Sequence, residues 1–460
     1  MKRNLVKILA TLGPSSEDKK VIVDMVFAGA EAFRINMSHR DKTYWDRLLK
    51  AFFEAEETVG SPLGLIADLS GFKIRLGDFE AVDVTQGDTI IIAYDPEKGV
   101  PLRNREFYEA LERGDIVNID DGKVLLLVEA VEGLQFKAKV LRGKRVEPRK
   151  GVAISGKDIE SPLLTNKDME DLLYISERPF SHVMVSYARK AEQIDIIRSF
   201  LRESGRRDIK IWAKIEVPSG VKNIEEIAEV SDGIVIARGD LGMHFPLEEI
   251  PVIQRRLVKV ARELHCPIVL ATEFLSSLME RDTPTRSEVV DIYEAVKLQV
   301  DGLLLTGETA IGPDPVKAVQ WMYRIISKAQ QEIFIDRPPV DIPMSRLAKG
   351  LVELVDSLSA KLVIYSKTGR FAERITSFRP AKKFFVGVPH EGIVRMIRPL
   401  WGSEPLLVGD LSYEEGLKTT CKILEEYGKI GVGDYLVEAA WSRDRDFFLI
   451  IVKNLPFPEV

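Results

Sequence analysis

The sequence predicts an α/β protein built on a (β/α)8 barrel, with a small β domain inserted into the barrel and an α/β domain following it. Three features carry this expectation. Eight short apolar runs alternate with helix-period segments, the rhythm breaks after the third run, and a proline-containing boundary precedes a second α/β pattern.

The apolar runs are 5–13, 32–39, 63–71, 181–188, 209–216, 233–240, 267–273 and 301–308. Their near-continuous Val, Ile and Leu content is that of parallel strands buried on both faces. Amphipathic stretches such as IPVIQRRLVKVARELH lie between them, and eight strand–helix units make a closed barrel. The region 74–157 has another texture: VDVTQGDTIIIAYD and its neighbours are β-rich, turn-punctuated and almost free of helical period. It reads as a β-barrel-like lid inserted at the catalytic end. Removing it leaves 1–73 and 158–338, about 250 residues, the usual size of such a barrel. After DRPPVDIP (336–343), five further apolar strands alternate with helices, giving a C-terminal α/β domain over 344–460.

Bulk composition narrows the function. The 460 residues are 45% hydrophobic and 30% charged with a net charge of −6, which describes a soluble globular protein without the basic stripe that nucleic acid or an acidic membrane surface would favour. Cys266 and Cys421 are far apart, so neither a disulfide framework nor a cysteine metal site is expected, and a reducing, cytoplasmic setting fits. The start, MKRNLVKILATLG, reads as a first strand rather than a signal peptide, and no apolar run approaches the ~20 residues of a membrane span.

In such barrels chemistry sits at the C-terminal ends of the strands. The polar residues there are Arg34, Asn36, Ser38, Asp68, Lys214, Glu216, Arg238, Asp240, Thr272, Glu273, Thr306 and Glu308. Glu216 and Asp240 end neighbouring strands, so their carboxylates can converge on one Mg²⁺ beside a phosphate. Lys214, two residues from Glu216, projects on the same side of its strand and adds a second positive centre, as phosphoryl transfer requires. Ion pairing at the barrel rim would account for any one of these residues more easily than for the group.

The segments AFRINMSH, IRLG after ADLSG, AKIE, DGIVIARGDLG, PIVLATEFL, TPTRSE and LLLTGETAIG resemble, in order and spacing, the signatures of the pyruvate kinase family. The resemblance covers the barrel, and the inserted and C-terminal domains fall where that family has them. It implies an enzyme that transfers the phosphoryl group of phosphoenolpyruvate to ADP, giving pyruvate and ATP. By similarity Arg34, Lys214, Gly239, Asp240 and Thr272 contact phosphoenolpyruvate, and Glu216 and Asp240 hold Mg²⁺ or Mn²⁺. Lys214 steadies the phosphoryl group in flight, and Thr272 relays a proton to the enolate through water, a hydroxyl being too weak an acid to act alone. Asn36, His39, Arg75 and Lys167 face the nucleotide phosphates, and Asp120 on the lid lies near a second ion. The family also implies a homotetramer.

One departure matters. Where most of the family has Thr-Lys-Gly-Pro-Glu-Ile-Arg, this chain has Leu69-Ser70-Gly71-Phe72-Lys73-Ile74-Arg75. The family's glutamate accompanies a K⁺ that Asn36, Ser38, Asp68 and the Leu69 carbonyl would bind. Lys73 can place its own charge where that ion would sit, so K⁺ is expected not to be required. In the C-terminal domain, Ser366, Lys367, Thr368, Gly369 and Arg370 form a phosphate-like loop at a helix start, similar to the family's allosteric loop, with Arg443 in a second basic stretch. Activation by a phosphorylated metabolite is the expectation, with ordinary cap chemistry as the alternative. Two rival readings stand beside the kinase. A metal-dependent lyase or aldolase would need no ADP and no lid, and an inactive barrel acting as a sensor would bind without turnover.

Overall fold

The computed structural model describes residues 4–38, 41–337, 340, 342–442 and 447–455. Eight parallel strands close into a barrel: β1 (Lys7–Leu12), β2 (Ala30–Asn36), β3 (Gly64–Asp68), β4 (His182–Val185), β5 (Lys210–Ile215), β6 (Gly233–Ala237), β7 (Ile268–Ala271) and β8 (Gly302–Leu305). Each strand pairs with its neighbour in sequence, and β8 returns to β1 with Lys7 opposite Gly302. The strands are mostly apolar because both faces are covered, with buried polar residues such as Lys7, Glu31, Arg34 and Lys214 confined to their ends and to paired positions. One face packs on the outer helices; the other fills the barrel with Leu9, Ile66, Met184, Trp212, Val235 and Leu304.

The helices follow local rules. Lys42–Val59 starts where the Asp41 carboxylate accepts the Tyr44 amide and stops at Gly60 in the left-handed region. Its buried residues Trp45, Leu48, Leu49, Phe52 and Ala55 recur at helical spacing and face the barrel. Arg286–Lys297 opens with a capping box between Thr285 and Glu288.

Between β3 and β4 the chain leaves the barrel for a separate β domain. Its six-stranded sheet is built on antiparallel pairing of Ile116–Ile119, Val124–Val131, Gln135–Arg142 and Thr89–Ala93. Its core, including Ile92, Val117, Leu126 and Phe136, is separate from that of the barrel. One short helix, Arg105–Ala110, interrupts the β texture, capped by Asn104 on the Phe107 amide. The two crossings into this lid run side by side: the Val152 amide donates to the Ile74 carbonyl at 2.9 Å and the Leu76 amide to the Lys150 carbonyl at 2.9 Å.

The C-terminal domain is a five-stranded sheet of β9 (Lys361–Tyr365), β10 (Phe384–Val388), β11 (Ser403–Leu407), β12 (Tyr435–Ser442) and β13 (Phe447–Asn454), in the order β11-β10-β9-β12-β13. Only β13 runs antiparallel to its neighbour. This domain is fixed to the base of the barrel through buried charges. Lys7 bonds the Ser403 carbonyl and Glu31, Arg379 grips Asp301, and Arg395 reaches Glu56.

Candidate active site

The polar ends of the strands form one connected group at the lid-bearing mouth of the barrel. Lys214, from β5, is the hub. Its ammonium lies 2.9 Å from Glu216 Oε1, 3.2 Å from Asp68 Oδ1 and 2.9 Å from the Ser186 hydroxyl. Burial works against that charge, but Asp68 and Glu216 outweigh it and hold the amine protonated above its ordinary range. Arg34, from β2, clasps Asp68 through Nε at 2.7 Å and through Nη2, and donates from Nη1 to the Thr11 hydroxyl at 2.9 Å. Two cations thus share one buried carboxylate, and Glu216 supplies the second acid of the group.

Glu216 and Asp240 are shifted in opposite directions although they are neighbours. Burial raises the Glu216 carboxyl, and the Lys214 ammonium offsets this only in part. Burial would also raise Asp240, yet the charges of Lys73 and Lys214 hold it below the usual carboxylate range. The Tyr187 amide donates to Glu216 Oε2 at 2.8 Å. Among the described residues no group of three or more His, Cys, Asp and Glu side chains could enclose a metal. Two hard oxygen donors, of which Asp240 lines a cavity, still fit a divalent ion that takes its other ligands from substrate and water, as Mg²⁺ commonly does.

A cavity of about 280 Å³ opens beside Asp240, lined by Lys73, Asp121, Gly239, Thr272, Glu273 and Thr306, among others. Thr272 holds a left-handed backbone, φ +72°, followed by Glu273 at +58°, costly geometry for a β-branched residue and concentrated at working sites. The bend places its hydroxyl 2.8 Å from the Gly239 amide, which donates to it. Arg238 buttresses this turn. Its guanidinium donates to the Thr272 carbonyl at 2.7 Å, pairs with Asp291 and lies over the Phe274 ring. A second cavity, about 640 Å³, lies between the ends of β1, β2 and β8; Pro14, Arg34, Asn36, Tyr44 and Thr306 line it.

Most residues chosen from sequence meet here, but several do otherwise. The Lys73 ammonium was expected beside Asn36, Ser38 and Asp68; it instead bonds Asp240 Oδ1 at 2.9 Å. Asn36 accepts from the Ser38 amide and hydroxyl, and the Leu69 carbonyl accepts from Ser186. Lys167 donates to the Met37 carbonyl at 2.8 Å and pairs with Asp171, next to Asn36. Arg75 is exposed at the root of the lid, bonded to the Arg149 carbonyl. Asp120 turns to Lys123 and Lys150, and its neighbour Asp121 lines the cavity in its place. Glu308 ties the ends of β7 and β8 by accepting from Leu275 and Thr306 amides. In the C-terminal loop Lys367 pairs with Asp410, and Gly369, at φ +77°, precedes the helix Arg370–Ser377. His39 and Arg443 lie outside the described residues. Sequence reasoning missed Thr11, Ser186, Tyr187 and Asp121. The first two are polar residues closing apolar runs, a signal available in the sequence.

The family model "Pyruvate kinase, barrel domain" matches residues 3–319. The chain belongs to the pyruvate kinase family. It is 49% identical to the pyruvate kinase of Aeropyrum pernix over 99% of this chain and all of that protein. It is 34% identical to that of Pyrobaculum aerophilum, covering 90% of this chain and 91% of the relative. The crystal structure of pyruvate kinase from Pyrobaculum aerophilum superposes with a TM-score of 0.88 at 31% identity, covering 98% of this chain and 100% of that one. Enzymes of this family are phosphotransferases, and so is this chain. No helix among the described residues is long and apolar enough to cross a membrane.

Proposed function

We propose that this enzyme transfers the phosphoryl group of phosphoenolpyruvate to ADP, forming pyruvate and ATP in the last step of glycolysis. The observation that carries the proposal is the convergence of Lys214, Glu216 and Arg34 at one mouth with Asp240 and Thr272 around the adjoining cavity. Mg²⁺ or Mn²⁺ held by Glu216 and Asp240 would neutralise charge on phosphoryl and carboxylate oxygens. Lys214 and Arg34 supply the fixed positive charge that steadies the phosphoryl group between donor and acceptor. The backbone at Gly239 and Asp240 helps to hold the substrate carboxylate, and Thr272, fixed by its strained turn, positions the water that protonates the enolate. Asn36, at the end of β2, Lys167, reaching it from the helix Asn166–Ser176, and Arg75, at the lid root, form a polar rim for the nucleotide phosphates, to which His39 belongs by resemblance. The cavity walled by Pro14 and Tyr44 suits the nucleoside.

Added K⁺ is not required in this proposal, because Lys73 already brings a positive charge to the mouth. A phosphorylated metabolite bound at residues 366–370 activates the enzyme. The enzyme works in the cytoplasm as a homotetramer.

A coupled assay of pyruvate release from phosphoenolpyruvate tests the reading, with and without ADP, K⁺ and phosphorylated metabolites. ADP-dependent turnover in K⁺-free buffer is expected, and Lys214→Met should lower kcat by about 10³ or more while the protein stays folded. Turnover without ADP would indicate a lyase, and a requirement for K⁺ would remove the role given to Lys73.

A further inference from the structure

Lys73 joins three parts of the molecule: the two crossings into the lid and the end of β6. It lies at the first crossing into the lid, and its stem runs over Gly151 at the second. A Cβ added at Gly151 would sit 2.7 Å from Lys73 Cε. Its ammonium ends on Asp240 Oδ1, 2.9 Å away, with both side chains about one quarter exposed. The lid docks on the same short segment of barrel: Asn118 donates to the Met243 carbonyl at 2.7 Å, and the Gly156 amide donates to the His244 carbonyl at 2.7 Å.

We propose that Lys73 is the resident counter-ion of Asp240 in the metal-free enzyme, that a divalent ion must displace it to bind, and that this displacement loosens the lid root. The inference rests on the assignment of Asp240 as a ligand of that ion.

The physical argument is one of competition. A carboxylate three-quarters buried favours a bonded counter-ion, and here that cation is the Lys73 ammonium. A divalent ion placed between Glu216 and Asp240 offers twice the charge and takes both carboxylates together, so it prevails at sufficient concentration. Binding then costs the ion pair it replaces. Because the lysine stem is laid across both lid crossings, its departure from Asp240 removes the only ion pair described between residue 73 and the barrel. Once displaced, the ammonium remains at the mouth, where it can take up the monovalent role proposed above.

The test is a calorimetric titration of the full-length enzyme with Mn²⁺ alone, in K⁺-free buffer without substrate or nucleotide. Lys73→Met should bind Mn²⁺ about five- to tenfold more tightly than the parent, as expected when one partly buried competing cation is removed. Lys73→Arg, which keeps the charge, should stay within about threefold of the parent. Gly151→Ala, which crowds the lysine stem and alters no charge, should shift affinity in the direction of Lys73→Met. An affinity for Lys73→Met equal to or weaker than the parent's overturns the inference. Glu216→Gln separates this failure from that of the metal site. If that variant binds Mn²⁺ normally, the two-acid site falls and the inference with it. If it binds at least tenfold more weakly while Lys73→Met is unchanged, the inference falls alone. The lid part is read by hydrogen exchange at 74–76 and 150–154. Mn²⁺ should speed exchange in the parent, and Lys73→Met should show the faster rate without metal. Exchange that ignores both removes the link to the lid.

Discussion

At the scale of single residues, the site shows how burial and charge divide labour among chemically similar groups. Glu216 and Asp240 are both enclosed acids, yet one is raised and the other lowered because their lysine partners differ in number and reach. The same reasoning gives a pH prediction away from the site. His182 is fully buried at the start of β4, against Trp212 at 4.5 Å, with Nδ1 2.9 Å from the Ser181 hydroxyl. Burial, with Lys210 nearby, pushes its pKa down to about 3. The folded state therefore holds a neutral ring, while the unfolded chain takes up a proton below about 6.5. Stability from this group is complete above about pH 6.5 and is lost as pH falls toward 3, by about 1.4 kcal/mol per pH unit well inside that window. Urea unfolding at pH 7, 5.5 and 4.5 should show His182→Gln closing its gap to the parent as pH falls. Parallel curves would show that the ring does not titrate this way.

At the scale of elements, strand ends were legible because a buried parallel strand admits polar residues only where it leaves the core, so the polar residue that stops an apolar run marks the rim. Lys214, Glu216 and Thr272 were found on that ground. Asp121 was not, since it sits on a lid turn with no periodicity to read. Both it and Asp120 adopt left-handed backbone, and only the folded turn decides which one faces the cavity. Strand packing also rests on glycines whose neighbours no sequence reveals. Gly233, opening β6, lies opposite Trp212 of β5, and an added Cβ would stand 2.5 Å from the indole. Gly233→Ala should destabilise the protein by about 1–3 kcal/mol through overpacking. Calorimetry should show a lower Tm, and an unchanged Tm would mean the indole has room to move.

For the whole molecule, the barrel base and the C-terminal domain behave as one packed body. Asp301, at the entry to β8, is fully buried and accepts from Arg379, the Trp401 amide and the Ile268 amide. It thereby holds the starts of β7 and β8 and the C-terminal domain together, and those two strands lead to Thr272 and Thr306. Removing one partner of such a pair leaves an uncompensated charge, so Arg379→Met should cost about 3–5 kcal/mol. Differential scanning calorimetry should then show the C-terminal domain melting ahead of the barrel. A single transition at the parental temperature would show that the domains are held by other means.

The sequence by itself determined the eight strands, the break for the lid, the family and most of the residues at the rim, because periodicity, buried-strand composition and ordered motifs are local properties of a chain. Only the tertiary structure decided which cation meets which acid. Lys73 was expected beside Asp68 and lies on Asp240, while Lys214 and Arg34 share Asp68. Coulomb attraction acts across space over a few ångströms, and residues that far apart in sequence acquire a partner only when the fold closes.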